Sequence, residues 1–178
     1  MTSSKVLNTL SMGKGIELRL FENEDVSEDS IDRYVTEISC TGEEAVNVPP
    51  HWHKRHAEQF TVIEGRIKIT LNGEAYIVNA GDPPLLIARR VVHSIQTFKG
   101  EKVVGQERVI PGGKYKFLFV NDLLNKGASP GFWRDMRVLY DGDMYIPLPL
   151  YFRCFDELFI KVFGGIAHLF MASRPKEL

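Results

Sequence analysis

Residues 49–65 read PPHWHKRHAEQFTVIEG and residues 81–93 read GDPPLLIARRVVH. In an extended strand, side chains two apart project to the same face. His51 and His53 therefore point together, and Trp52 points away. Glu58 lies five residues beyond His53, an odd step. For Glu58 to face the same interior, the intervening KRHA must hold a turn or bulge, so the stretch predicts a strand, a tight turn and a second strand. His93 closes the second stretch after the turn residues Ala80-Gly81-Asp82-Pro83-Pro84. Three imidazoles and one carboxylate form a mixed nitrogen and oxygen donor set. Such a set suits one divalent transition ion (Fe, Mn, Co, Ni or Zn) better than Ca or Mg, and leaves one or two coordination positions open.

The flanking sequence is β in character from residue 16 to about 111. GIELRLF (15–21) and RYVTEISC (33–40) alternate apolar and polar residues around the acidic loop ENEDVSEDS. RIKITL places Ile67, Ile69 and Leu71 on one face, and Asn72-Gly73 is a strong hairpin signal before EAYIV. LLIARRVVHSIQTF and KVVGQERVI supply further strands around Lys99-Gly100. Many short strands with regular turns predict a closed sandwich or jelly roll. Beyond Pro111-Gly112-Gly113 the pattern becomes helical: KYKFLFVNDLLNKG with a stop at Gly127, then Phe132 to Leu139, then the Phe-rich and Leu-rich segment from Phe152 to Phe170. The division is thus a flexible N-terminus (1–15), a β-barrel (16–111) and a helical extension (112–178) packed on the barrel or on a dimer interface.

The HxH, four-residue, Glu, six-residue, Gly pattern of His51, His53, Glu58 and Gly65 resembles the first motif of the cupin superfamily. Gly81-Asp82 and His93 resemble its second motif. Ala88-Arg89-Arg90 stands where a Pro-x-Gly bend is expected, and the interval from Gly81 to His93 is about one residue longer than in the usual pattern. The resemblance covers residues 40 to 110 and is to small single-domain fungal cupins linked to natural-product pathways. It implies a mainly β fold, a single cupin jelly-roll β-barrel with a helical C-terminal extension.

Other residues are weighed against structural roles. Phe60 and Ile95 lie two steps past Glu58 and His93, so they continue the inward rows and are the candidate substrate-binding residues in a partly apolar cavity. His56 falls in the expected turn and reads as an exposed turn residue, with a substitute ligand or proton shuttle as its alternative. Trp52 reads as packing, His168 as a hydrogen-bonded core or interface histidine, and Arg89 and Arg90 as exposed bend residues that could also grip a carboxylate. Glu58 and His93 are the candidate catalytic residues.

Composition bounds the rest. The 178 residues carry a formal net charge of -1, with 44% hydrophobic and 25% charged residues. There is no basic stripe to meet nucleic acid. Cys40 and Cys154 are too few for a disulfide framework and fit a reducing compartment. MTSSKVLNTLSMGKG has no apolar signal core, and LFIKVFGGIAHLFMA is too short and interrupted to span a bilayer, so the expectation is a cytoplasmic protein without a membrane partner. The expected function is a metal-dependent enzyme acting on a small apolar or aromatic molecule, by non-oxidative cyclisation, dehydration or isomerisation. The alternatives are a cupin-type dioxygenase and a non-catalytic ligand-binding cupin. The apolar content of the helices and first strands predicts a homodimer.

Overall fold

The computed structural model describes residues 4–124, 131–149 and 152–172. In chain order the elements are β1 (Ser4–Gly13), β2 (Ile16–Asn23), β3 (Tyr34–Cys40), β4 (Asn47–His53), β5 (Ala57–Glu64), β6 (Arg66–Leu71), β7 (Glu74–Asn79), β8 (Leu85–Ile87), β9 (His93–Gln96), β10 (Val103–Ile110), α1 (Tyr115–Leu123), α2 (Phe132–Asp141), β11 (Met144–Tyr145) and α3 (Arg153–Ala167). One antiparallel sheet runs β1-β2-β3-β10-β5-β8, and the other runs β11-β4-β9-β6-β7. They make a cupin-type jelly roll, yet no ladder among the described residues joins one sheet to the other. The closed ring expected from the strand count is therefore two facing sheets.

The alternation places the core as the sequence predicts. Leu18 and Leu20 of β2, and Ile67 and Ile69 of β6, are buried between layers. The β6–β7 hairpin turns through Asn72 and Gly73, both at positive φ (48° and 93°), the backbone of the two-residue turn that suits twisted strands. One apolar cluster fills the space between the sheets around Phe60, Val62, Ile67 and Ile95. A second lies under the helices, where Phe117, Phe119, Met136 and Ile160 pack on Leu20, Tyr34 and Trp52.

One local expectation is corrected. Residues 1–15, read as flexible from their Ser, Gly and Lys content, contain β1, which pairs with β2 from Ser4↔Asn23 to Gly13↔Ile16. Backbone pairing with a long neighbour orders the segment where side-chain burial is slight. The bend at Ala88-Arg89-Arg90 forms without glycine: Arg90 adopts φ 64°, and its N–H donates to the His53 carbonyl at 2.8 Å. Arg89 and Arg90 are exposed. The helical reading holds for α1, α2 and α3, while Gly127, the expected stop after α1, lies outside the described residues. No helix among the described residues is long and apolar enough to cross a membrane.

Trp52, pointing away from His51 and His53, fastens the helical layer to β4. Its ring stacks on Tyr145 at 4.4 Å, and its indole N–H donates to Asp156 Oδ2 at 3.0 Å. Asp156 Oδ1 accepts from the Leu148 backbone N–H at 2.8 Å. Asp156→Ala strands both donors, one of them buried beneath α3, and is expected to lower stability by about 2 to 3 kcal/mol, measured as a reduced urea midpoint.

Candidate metal centre

β4 delivers two imidazoles to one face, and β9 lies beside it with His51 directly opposite His93. The His51 and His93 rings are 4.1 Å apart, His51 and His53 5.0 Å, and His53 and His93 5.5 Å. Glu58 comes from β5 in the facing sheet, so the turn at 54–56 carries the chain from one sheet to the other and brings the carboxylate back to the shared interior. Relative exposures are 4% for His51, 3% for His53, 2% for Glu58 and 2% for His93. One donor atom from each lies within 4.8 Å of the others.

The hydrogen bonds decide which ring nitrogens are available. His51 Nδ1 lies 2.8 Å from the Pro49 carbonyl, His53 Nδ1 3.0 Å from the Asp143 carbonyl, and His93 Nδ1 3.0 Å from the Val91 carbonyl. A carbonyl oxygen only accepts, so each Nδ1 carries the proton, and in a neutral ring each Nε2 presents a lone pair. Burial, followed by the neighbouring His93 and His53, pushes His51 well below its ordinary pKa, and burial also lowers His53. His53 Nε2 stands 3.1 Å from Glu58 Oε1, and His93 Nε2 stands 2.9 Å from Glu58 Oε2, neither with a hydrogen bond. Lone pairs facing a carboxylate repel unless a cation lies among them. The donor set therefore fits a divalent ion held by His51, His53, Glu58 and His93.

Burial would raise the pKa of Glu58, but the Lys116 ammonium and then His53 outweigh it and hold the carboxyl well below its usual range. Lys116, on α1, places Nζ 2.5 Å from Glu58 Oε1 and 2.7 Å from Glu107 Oε1. Burial first, and the Glu58 charge second, raise Glu107 to about 7. Neither Lys116 nor Glu107 was singled out from sequence. Glu107 did leave a trace: it follows the inward row Val103, Gly105 of β10 and precedes Val109, a charged residue in an apolar register. Lys116 left none, since a lysine between aromatic residues at the start of a helix is ordinary surface composition.

His56 also departs from expectation. It is 1% exposed, not an exposed turn residue. Its ring stacks on His53 at 4.1 Å, Nδ1 lies 3.3 Å from Asp143 Oδ2, and Nε2 lies 3.7 Å from Glu58 Oε1. Asp143 reaches this place because it sits at φ 56° between α2 and β11, where its carboxylate also accepts from the Arg55 N–H at 2.6 Å. His53, His56 and Asp143 form a second group of clustered donor atoms that shares His53 with the first. His168, read as a hydrogen-bonded core or interface histidine, is hydrogen-bonded but not in the core: it is exposed at the end of α3, with Nε2 2.9 Å from Asp141 Oδ1.

A cavity opens beside the centre. His51 and Glu58 line it, as do Phe60 and Ile95, the two residues that continue the inward rows. Its other walls are mainly apolar and include Ile67, Phe119 and Met144, while Lys116 and Glu107 join Glu58 at the polar end. His53 and His93 do not line it. The arrangement can bind a small apolar body against one polar, cation-ready centre.

Residues 41–103, less than half of the chain, match the family model of the cupin domain. The matched segment takes in β4 to β9 and holds all four clustered donors. Among solved structures, similarity extends to KdgF from Halomonas sp. at 17% identity, covering 57% of this chain and 84% of that one, with a TM-score of 0.43. The cupin domain of Cnp3 from Schizosaccharomyces pombe is 16% identical, with 58% and 67% covered and a TM-score of 0.44. An RmlC-like cupin from Shewanella frigidimarina is 18% identical, with 59% and 84% covered and a TM-score of 0.42. No curated protein sequence matches the chain.

Protein purified without chelators is expected to contain one divalent transition ion per chain by elemental analysis, and His53→Ala to contain almost none. Removal of the ion should lower the melting temperature reversibly. Free ion at 100 times its Kd stabilises the fold by about 2.7 kcal/mol through binding to the folded state alone.

Proposed function

We propose that this chain is a metal-dependent enzyme acting on a small apolar or aromatic molecule by non-oxidative cyclisation, dehydration or isomerisation. The observation that supports the reading best is the convergence of unprotonated Nε2 atoms on an ionised Glu58 at the polar end of an apolar cavity. A divalent ion held by His51, His53, Glu58 and His93 would supply Lewis-acid polarisation of a substrate oxygen. Phe60 and Ile95 hold the apolar body and keep water from it. Glu58, the buried carboxylate exposed to the cavity, accepts the proton that leaves the substrate, and Lys116 beside it favours the ionised form from which it starts. His93, whose Nε2 faces Glu58 Oε2, would share the ion with Glu58 and so hold the carboxylate in place. The resemblance to small fungal cupins supports a natural-product intermediate as the substrate.

The same mixed donor set suits redox-active Fe, Mn or Ni, which keeps a cupin-type dioxygenase as the second reading. The two separate in one experiment on a panel of small enolisable and aromatic compounds. Turnover is expected to continue without oxygen and with Zn in place of the native ion, and Glu58→Gln to lower the rate by about 10² or more. Turnover that stops without oxygen, with oxygen atoms recovered in the product, decides for the dioxygenase. Stoichiometric metal and ligand binding without turnover decides for a binding protein.

We also propose that the chain acts as a homodimer. α3 leaves Phe155, Leu158, Val162 and Ile166 exposed along one stripe, and Leu169 beyond its end is 83% exposed. An apolar stripe of this extent is usual at an interface. Light scattering at micromolar concentration should give about twice the 20.2 kDa chain mass, and Leu158→Glu should shift it to the monomer.

A further inference from the structure

The cavity beside the metal centre is apolar on nearly every side, yet a lysine is buried in its wall. Taking an ammonium out of water costs several kcal/mol unless it is paired. Lys116 is paired twice, with Glu58 at 2.5 Å and Glu107 at 2.7 Å. Neutralising Glu58 does not account for the arrangement by itself, because Glu107 adds a second carboxylate that burial makes expensive. Glu107 and Glu58 come from adjacent antiparallel strands, where Glu107 pairs with Phe60 and Val109 with Glu58. Glu107 can therefore hold Lys116 in the wall while Glu58 serves the imidazole cluster.

The charges at the polar end of the cavity sum unevenly. Glu58, Glu107 and Lys116 together carry one net negative charge when all are ionised, and a divalent ion on the histidines and Glu58 turns this into one net positive charge. Lys116 is also the only lysine or arginine among the described residues that line the cavity. An ammonium has three donors; Glu58 takes one as a hydrogen bond, and Glu107 lies 2.7 Å away as an ion pair. The helix that brings Lys116 also supplies Phe119, Val120 and Leu123 to the same wall, so one element offers a cationic point and an apolar surface.

We propose that Lys116, steadied by Glu107, recognises an ionised oxygen of the ligand, so that the cavity selects small molecules with a carboxylate or enolate head and an apolar body. This rests on the metal-dependent reading above, because the ion supplies the excess positive charge. A carboxylate in the cavity completes charge balance and receives a charge-assisted hydrogen bond from Lys116, while the apolar tail lies along Phe60 and Phe119.

The test uses the full chain loaded with Zn, with zinc content measured for every variant. Calorimetric titration compares acetate, hexanoate and benzoate with the matching neutral amides. At least one carboxylate with an apolar tail is expected to bind 10-fold or more tighter than its amide. Lys116→Met should reduce that preference at least 10-fold while zinc stays at one per chain. Because this variant leaves Glu107 buried without its cation, the paired change Glu107→Gln with Lys116→Met serves as the second test and should lose the preference equally. Glu107→Gln alone keeps an oxygen beside Lys116 while removing a competing negative charge, and should bind the carboxylate at least as tightly as wild type. Full zinc with equal binding of acid and amide, or with the preference intact in both lysine variants, overturns the assignment of Lys116 alone. Absence of zinc from the wild-type protein overturns the metal reading, and this inference with it.

Discussion

The buried carboxylate of Glu58 is the constraint around which the interior is arranged. An ionised carboxylate in an apolar barrel is costly unless several positive or polarised groups surround it. Here Lys116 meets one oxygen, His53 faces the same oxygen, and His93 faces the other. The imidazoles cannot themselves donate, because their Nδ1 protons are committed to backbone carbonyls of Pro49, Asp143 and Val91. The site is thus short of positive charge on one side and supplied with it on the other. A divalent ion would meet the first need, and Lys116 already meets the second.

Fixing those groups requires both sheets and the helical layer. β4 and β9 set the imidazoles in register, and β5 presents Glu58 from the facing sheet. The short segment after α2 carries the Asp143 carbonyl that orients His53, and α1 carries Lys116. Trp52, held by Tyr145 and Asp156, ties β4 to the same helical layer on its outer face. Trp52, between His51 and His53, therefore anchors the strand that positions them, so packing on one face of β4 fixes geometry on the other.

His56 and Asp143 give the centre a second layer of polar contacts. The His56 ring stacks on His53, and its nitrogens lie near Asp143 and Glu58. Burial lowers the pKa of His56, but the neighbouring carboxylates of Asp143 and Glu58 outweigh that and raise it above the ordinary histidine value. A chain that spends this much buried polar surface around one carboxylate has its interior organised by electrostatics as much as by apolar packing.

The amino-acid sequence determined the elements that depend on period and turn chemistry. Alternation in RIKITL, the Asn72-Gly73 turn and the HxH spacing fix which side chains share a face, because strand parity is a local property of the backbone. The helices after Pro111 were legible for the same reason, and the inward rows carried Phe60 and Ile95 to the cavity wall. Only the tertiary structure decided which distant residues complete the site. Lys116 lies 58 residues from Glu58 along the chain, and Asp143 lies 88 from Arg55. No local pattern records such a meeting, since it arises from where a helix docks on a sheet. His56 looked like a turn residue because a turn is polar by default, and it is buried because the segment between α2 and β11 folds over it. β1 was likewise invisible, because its order comes from backbone pairing with β2, and backbone hydrogen bonds carry no side-chain signature.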